Sequence, residues 1–395
     1  MNFLINIDLS LYYLLIFIVI VFTFYFQTRI KNPLSIKIEE NKIYKDFKVT
    51  HIYGFNFSYG VGIDKYENIF IPDFKTGLIY KIFSKLNRVN IYKLEKKSLK
   101  KLSFFEKLIT FTHLKKIISF SSNIYKPHEI YFDEFENTYI TQMGLGDCKG
   151  KGRVSVFSKN NELIDEIGLS SRDNIGLIDP VMTQLIENFL YISESGANKI
   201  LRYKKHKLID WIGDDKDQYI DQFTNKKNLF IPIKLDKPHA IKLGPDDNYY
   251  IVDTSNHRIV RFSKKGEFLG WIGKTDNGEI NDNWEKSGKS ISGSELGAFN
   301  TPIDLIFFNN LMLISDCFNA RLIKVSVSGK SQGWLGETLD LEEKKNIWKI
   351  GKNPTPSKSL TGFNRPFGIK LYKDKLYIAD KQNFRVKIIE SKSLL

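Results

Sequence analysis

An internal repeat constrains the fold of this chain more than any other feature of its sequence. The clearest copy, residues 237–273, contains four short segments of apolar or alternating character, separated by turn residues such as Pro245-Asp246-Asp247-Asn248. Alternation over a few residues between turn signals indicates β-strands. A unit of four strands that recurs along a chain is typical of a β-propeller blade.

Six copies of this unit can be aligned. They cover residues 59–83, 126–168, 179–213, 237–273, 301–336 and 365–390. The sixth copy has three strands, and residues 47–54 have the residue types of the missing fourth strand. Because a closed ring leaves no blade edge unpaired, we expect this strand to complete the sixth blade. The sequence therefore predicts an all-β, six-bladed β-propeller over residues 47–395, closed by strand 47–54.

The repeat has a characteristic set of polar residues. Its second strand ends in Asp, and Asn-x-Arg follows, as in Asp253/Asn256/Arg258, Asp316/Asn319/Arg321 and Asp380/Asn383/Arg385. With the Pro-x-x-Ile start at Pro238 and Pro366, this pattern resembles the NHL-type propeller repeat. The third copy departs from it, with Glu194, Ala197 and Lys199. We interpret the Asn and Arg residues as hydrogen-bonding groups of turns and blade junctions.

One position of the repeat is expected at the mouth of the central channel, where the innermost strand of each blade begins. Its six residues are Tyr59, His128, Val181, His239, Ile303 and Phe367. Both histidines occur as Lys-Pro-His. Since the innermost strands surround one axis, residues that are distant in sequence should converge there.

The two Pro-His pairs are similar to those of peptidyl-α-hydroxyglycine amidating lyase, another six-bladed propeller. That resemblance implies a zinc ion held by three histidines of alternating blades, and His128 and His239 match two of them, with Phe367 in the third position. A carboxylate would have to complete such a site, and Glu129, Asp304 and Asp147 are the candidates. Related six-bladed lactonases hold calcium with channel side chains, which makes calcium the other candidate ion. The alternative is that both histidines are polar mouth residues without a metal.

The insertions of the chain lie in loops that share one face of a propeller, here called the loop-rich face. These loops join strand two to strand three or one blade to the next, and they cover residues 87–125, 143–151, 214–236, 274–300 and 337–364. Elaboration of one face predicts a binding surface there. The alternative is that long polar loops are merely tolerated. The first insertion contains a basic amphipathic segment, residues 94–120, which is typical of a lid, a packing helix or a membrane-surface helix.

The N-terminal region predicts a membrane anchor. Residues 9–26 are uncharged over 18 positions, which at about 1.5 Å per residue can just cross a hydrocarbon core of about 30 Å. No basic residue precedes this segment and bulky aromatic residues end it, which argues against a cleaved signal peptide. We therefore assign residues 1–27 to a transmembrane anchor and 28–46 to a linker. Because the anchor would lead into outer strand 47–54, we expect it on the face opposite the loop-rich face.

The side of the membrane is left open by the sequence. Arg29, Lys31, Lys37 and Lys42 follow the apolar segment, and the positive-inside rule then favours a cytoplasmic propeller. Analogy with other single-anchored propellers favours a periplasmic or extracellular one.

Composition excludes several classes of function. The net charge of +14 arises from dispersed lysines without an accompanying Arg/aromatic motif, so we do not expect nucleic acid as a partner. Two cysteines exclude a disulfide framework, and phosphate-loop and nucleophile-elbow motifs are absent. The sequence thus predicts a membrane-anchored scaffold that binds an unknown protein or small molecule through the loop-rich face. The alternatives are a metal-dependent lyase or hydrolase at the channel mouth, and RNA binding by a basic face.

Overall fold

A computed structural model describes residues 37–44, 47–84, 89–91, 124–144, 152–168, 177–213, 233–340, 347–351 and 354–390. Within these ranges the chain forms 28 β-strands in six antiparallel sheets. The first strands of neighbouring sheets contact one another, and the sixth contacts the first, so the sheets form a closed ring. The predicted six-bladed β-propeller is thereby confirmed.

The strands of each blade are consecutive in sequence, apart from those that close the ring. Blade 1 contains Gly62–Ile63, Ile69–Pro72, Ile79–Ile82 and Val89–Ile91. Blade 2 contains Pro127–Phe132, Thr138–Gln142, Arg153–Phe157 and Leu163–Ile167. Blade 3 contains Pro180–Ile186, Phe189–Glu194, Lys199–Lys204 and Lys207–Ile212. Blade 4 contains Pro238–Leu243, Asn248–Asp253, Arg258–Ser263, Phe268–Thr275, Ile280–Glu285 and Ser290–Ile291. Blade 5 contains Pro302–Phe308, Leu311–Asp316, Arg321–Ser326, Ser331–Thr338 and Pro354–Thr355. Blade 6 contains Lys37–Tyr44, Phe47–Tyr53, Pro366–Tyr372, Lys375–Asp380 and Arg385–Glu390.

The core lies between the blades. Alternate residues of a strand point to opposite faces of its sheet, and here both faces are covered by a neighbouring blade. Between blades 3 and 4, for example, Ile200 and Ile212 pack with Ile241, Ile251 and Val260. Near-continuous apolar strands such as Tyr249–Val252 follow from this two-sided burial.

The ring closes through its N-terminal strand. Strand Phe47–Tyr53 pairs antiparallel with Arg385–Glu390, and Val49 and Ile52, which are completely buried, lie opposite Ile389 and Val386. This strand occupies the fourth position of blade 6, so the first and last parts of the propeller share one sheet.

The interpretation of residues 28–46 as a linker is wrong for its last part. Lys37–Tyr44 forms a further strand that pairs with Phe47–Tyr53, with Ile38 opposite Ile52. The segment has four charged residues among its eight, a composition that suits an edge strand. An extra antiparallel strand also reverses the direction of entry: Lys37 lies opposite Tyr53, at the end of the blade that leads to the loop-rich face. The chain therefore enters the described part of the propeller at the loop-rich face, whereas direct entry into strand 47–54 would start at the opposite face.

Two of the insertions extend blades at their outer edges. In blade 4, Ile280–Glu285 pairs with the fourth strand, and Trp284 is buried and donates its indole N–H to the carbonyl of Val327 at 3.0 Å. In blade 5, Pro354–Thr355 pairs with Ser331–Thr338. These residues fill an edge position rather than surround the channel mouth.

Several predicted features lie outside the described residues. They are the apolar segment 9–26, the basic segment 94–120, and the residues Asp147 and Cys148. Among the residues that are described, no helix has the length and apolar character needed to cross a membrane.

Candidate functional site

The repeated Asp, Asn and Arg residues build the scaffold of the loop-rich face. In blade 5 the Arg321 guanidinium donates to Asp316 Oδ2 at 2.8 Å and to the carbonyl oxygens of Ser294 and Ala298, each at 2.8 Å. Asn319 also donates to Asp316 Oδ2 at 2.8 Å. The second strand is thereby joined to the segment that leads into the blade, which confirms the interpretation of these residues as turn and junction groups.

A 3-10 turn in each such blade brings these groups together. Cys317–Asn319 follows Asp316, and Ala320 then adopts φ 51°, in the left-handed region. The same turn occurs at Thr254–Asn256 and Lys381–Asn383. A single left-handed residue ends the turn and returns the chain into the third strand, with Arg321 paired opposite Asp316.

Four of the six residues predicted for the channel mouth form one cluster of contacting rings. The Tyr59 ring stacks on His128 at a centroid distance of 4.5 Å, and Phe367 packs edge-on against Tyr59 at 4.9 Å. His239 lies 5.4 Å from Phe367 and 5.8 Å from His128. Ring separations of this size are direct van der Waals contact. We call Tyr59, His128, His239 and Phe367 the aromatic plug.

The two remaining mouth residues support the plug from the side. Ile303 packs with Phe367 and Cys317 and is buried. Val181 is also buried, and its carbonyl oxygen lies 2.6 Å from His128 Nδ1, so His128 donates from this nitrogen. The plug therefore fills the end of the channel at the loop-rich face.

Both histidines of the plug are held neutral. Burial lowers the pKa of His239 to about 3, assisted by the charges of Lys381 and Lys237. Burial also places the pKa of His128 well below its usual value, with His239 as the next cause. Neutral imidazoles are the form that binds metal ions. His239 Nδ1 is buried and has no hydrogen-bond partner among the described residues.

The carboxylates proposed as a third metal ligand have other partners. Glu129 accepts hydrogen bonds from the Thr183 amide at 3.1 Å and from Lys370 Nζ at 2.7 Å. Asp304 accepts from the Ile369 amide at 3.0 Å. Both acids thus bind the first strand of a neighbouring blade. No group of three His, Cys, Asp or Glu side chains suited to a metal occurs in the described part of the chain.

A cavity of about 540 Å³ lies on the axis at the other end of the channel. All six first strands contribute their last residues to it, so it lies at the face of the short turns between strands one and two, here called the turn face. Its polar lining groups are Tyr131, Gln184, Glu187, Lys242, Lys370 and Tyr372. Glu187 is paired with Lys264 Nζ at 2.9 Å. Apolar side chains such as Ile306 and Leu371 supply most of the remaining wall.

The polar floor of the cavity consists of two lysines in front of two acids. Lys370 Nζ lies 2.7 Å from Glu129 Oε1, and Lys242 Nζ lies 3.7 Å from Asp304 Oδ1. The lysine side chains are 18% and 12% exposed, respectively, and the acids 3% and 0%. The ammonium groups therefore face the cavity and the carboxylates lie behind them.

The pKa values of the two lysines are shifted in opposite directions. Burial is the main reason that the pKa of Lys242 is lowered, and the positive charge of Lys370 adds to it. For Lys370 burial also lowers the pKa, but the carboxylates of Glu129 and Asp304 outweigh it and the pKa is raised. Lys242 is thus the group whose charged form gains most from an added anion.

The mouth position was found from the sequence, whereas the cavity residues were missed. Gln184, Lys242 and Lys370 each lie three residues after a mouth residue. In blades 4 and 6 this residue is the lysine of an Ile-Lys-Leu sequence. A lysine is unusual there, because the inner strand of a propeller blade is otherwise apolar. The cavity residues could have been found from the lysines at inner-strand positions of blades 4 and 6, together with the acids Glu129 and Asp304 on the inner strands of other blades.

The comparisons with known proteins agree with this fold. Residues 235–262, in blade 4, match the NHL repeat, which confirms the resemblance found in the sequence. The structure is similar to virginiamycin B lyase from Staphylococcus aureus, with a TM-score of 0.50 and 13% identity over 87% of this chain and 99% of that chain. It is also similar to an auxiliary nutrient binding protein from Bacteroides ovatus, with a TM-score of 0.52 and 14% identity over 90% of this chain and 76% of that chain. At such low identity these similarities concern the fold alone. Comparison with curated protein sequences gives no match.

Proposed function

We propose that the chain is a membrane-anchored propeller that binds a small molecule in its axial cavity. The observation that carries this proposal is the 540 Å³ cavity with Lys242, Lys370 and Gln184 converging from three different blades. Ligand sites are typically concave and largely apolar, with a few convergent polar groups and volumes of about 300–1,000 Å³. The turn face therefore replaces the loop-rich face as the site that we propose.

The rigidity of the floor supports binding in a preformed site. Glu129 and Asp304 tie the first strands of adjacent blades together through the amides of Thr183 and Ile369. The lysines that they hold are consequently fixed at the axis before a ligand arrives. A preformed site costs less ordering entropy on binding than a flexible loop does.

The membrane anchor is the second part of the proposal. Residues 9–26, within the anchor assigned to residues 1–27, have the length and apolar character of a span. Residues 28–36 separate that anchor from strand Lys37–Tyr44. Nine extended residues reach about 30 Å at most. Because the chain enters the propeller at the loop-rich face, that face would lie towards the membrane and the cavity would open away from it.

The cavity proposal is tested with a neutral fluorophore. N-phenyl-1-naphthylamine brightens in apolar surroundings, and we expect it to bind the full chain at one site. Replacing Leu371 in the wall by tryptophan should abolish this signal because the larger ring fills the cavity. Leu339→Trp, at an exposed position after the fourth strand of blade 5, is the matched control. An equal signal from wild type and Leu371→Trp would refute the proposal.

A metal-dependent lyase or hydrolase at the aromatic plug is the second candidate. Its supporting observation is the pair of neutral imidazoles 5.8 Å apart, in which His239 Nδ1 accepts no hydrogen bond from any residue that the structure describes. Metal analysis of the purified chain tests it, with His128→Ala and His239→Ala as paired variants. One zinc or calcium ion per chain in the wild type, lost in both variants, would support this function. A metal content below one ion per chain in the wild type would refute it.

A further inference from the structure

We infer that the ligand of the axial cavity carries a single carboxylate on an apolar body, and that Lys242 and Lys370 bind the carboxylate. The inference rests on the proposed function and specifies its ligand class. It follows from the sign of the charge that faces the cavity, from the donors that remain on the two lysines, and from the composition of the wall.

The orientation of the ion pairs gives the floor a positive surface. The acids lie behind the lysines and are occupied by backbone amides, with Thr183 N on Glu129 and Ile369 N on Asp304. A ligand at the floor thus meets ammonium groups first, and Glu187, the acid that lines the cavity, is paired with Lys264. A cationic ligand would be repelled by the ammonium groups, whereas an anionic oxygen would be attracted.

Hydrogen-bond donors are available for such an oxygen. An ammonium group has three N–H donors. Lys370 donates to Glu129 Oε1 at 2.7 Å, and Lys242 donates to Gln184 Oε1 at 3.0 Å with Asp304 Oδ1 at 3.7 Å. These contacts use one donor of Lys370 and two of Lys242. Counted over the described part of the chain, each lysine therefore keeps a donor for a carboxylate oxygen.

The balance of charge favours a monoanion. The two lysines and the two acids sum to zero, so every charge of the ligand is added to a neutral floor. A phosphate dianion would bring a second negative charge into a partly buried site without a partner for it. A single carboxylate is matched by the two remaining donors, and a charge-assisted hydrogen bond is stronger than a neutral one.

The wall determines the rest of the ligand. Ile63, Leu185, Ile306, Phe307 and Leu371 surround the space between the floor and the turn face. An apolar body in contact with these side chains gains about 25 cal/mol for each Å² that it removes from water. A carboxylate at the inner end with a compact hydrocarbon or aromatic body towards the opening fits both regions of the cavity.

A pair of isosteric probes tests the inference. We would compare 1-naphthoate with naphthalene-1-carboxamide, which has the same shape without the charge, by displacement of N-phenyl-1-naphthylamine from the full chain in lipid nanodiscs. Empty nanodiscs supply the background. The naphthoate should bind about tenfold more tightly, since one charge-assisted hydrogen bond corresponds to about that factor.

The variants remove the lysines without leaving a buried acid unpaired. Lys370→Met is combined with Glu129→Gln, and Lys242→Met with Asp304→Asn, so that each double variant stays neutral. Each should reduce the preference for naphthoate to about twofold or less while binding of the carboxamide persists. Lys265→Met, at an exposed lysine of the same turn face, should keep the full preference.

The outcomes separate the inference from the proposed function. Equal binding of both probes, abolished by Leu371→Trp, would overturn the carboxylate inference and leave the cavity as a binding site. Preferential binding of naphthoate that survives in both double variants would place the anion elsewhere and also overturn the inference. If Leu371→Trp changes the binding of neither probe, the cavity is not the binding site, and both the proposed function and the inference are overturned.

Discussion

At the scale of single residues, the propeller depends on charged side chains that are buried in pairs. Arg321 and Asp316 are both completely buried, and Arg385 and Asp380 repeat the arrangement in blade 6. Removing a charge from water is costly, and the cost is offset only where the partner and further hydrogen bonds are present. The carbonyl groups of the blade-entry segment provide these bonds for Arg321.

Removal of one partner should be strongly destabilising. In Arg321→Met the Asp316 carboxylate stays buried without its cation, and we expect the free energy of unfolding to fall by about 3–5 kcal/mol. Urea denaturation measures the loss, and Lys330→Met, which changes an exposed lysine of the same blade, serves as the control. A loss equal to that of Lys330→Met would contradict the structural role of the pair.

In blade 3, Glu194 replaces the usual Asp, and we expect the unfolding free energy to depend on pH through this residue. Burial is the main reason that the pKa of Glu194 is raised to about 8. A folded-state pKa above the unfolded one gives stability that is complete below about pH 4.5 and is lost as the pH rises towards 8. The side chain introduced by Glu194→Gln cannot ionise. The loss of unfolding free energy between these pH values should therefore be smaller in the variant than in the wild type, by at least about 2 kcal/mol. Parallel profiles of unfolding free energy against pH for the two proteins would show that Glu194 does not titrate in this way.

At the scale of strands, the repeat predicted most of the fold because its signals are local. Turn residues, two-residue alternation and the Asp/Asn/Arg spacing are all set within about 40 residues of one another. Lys37–Tyr44 was missed since charged residues dominate it, and pairing with Phe47–Tyr53 rather than its own composition makes it a strand. The edge strand Ile280–Glu285 was missed for the same reason.

The two N-terminal strands should differ in their importance. Ile52 is completely buried in the strand that closes the ring, whereas Ile38 lies in the outermost strand and keeps some exposure. Ile52→Ala should cost about 2–5 kcal/mol of unfolding free energy, because it leaves a cavity in a packed core. Ile38→Ala removes the same atoms from a less buried place and should cost less. Thermal unfolding of the two variants makes the comparison, and a larger effect at Ile38 would contradict the assignment of the closing strand.

At the scale of the whole molecule, the sequence predicted the residues at one end of the channel, the aromatic plug, but not those at the other end, the cavity. The plug could be placed because its position is fixed by the Pro that begins most first strands, and a closed ring brings such positions together. The function of its histidines stays a prediction. The cavity depends on how far Lys242, Lys370 and the surrounding apolar side chains reach across the axis. Side-chain reach across a closed ring is a property of the packed molecule and leaves no pattern within one repeat.

Placement of the propeller relative to the membrane gives the last prediction. Strand Lys37–Tyr44 brings the chain in at the loop-rich face, and about 30 Å of chain at most joins it to the proposed anchor. Positions on that face should therefore lie nearer the bilayer than positions on the turn face. Two variants in a Cys148→Ser background test this: Leu339→Cys on the loop-rich face and Lys265→Cys on the turn face. The introduced cysteine is the accessible one in each, because Cys317 is buried.

A fluorophore on each cysteine and a quencher in the lipid headgroups report the distances in reconstituted vesicles. We expect stronger quenching at position 339 than at 265, and the difference should vanish in a protein that lacks residues 1–36, which would also leave the vesicles. Stronger quenching at 265 would place the cavity against the lipid and contradict the proposed arrangement. A protein that stays on the vesicles without residues 1–36 would show that another surface binds the membrane, and the anchor would then lose its assigned role.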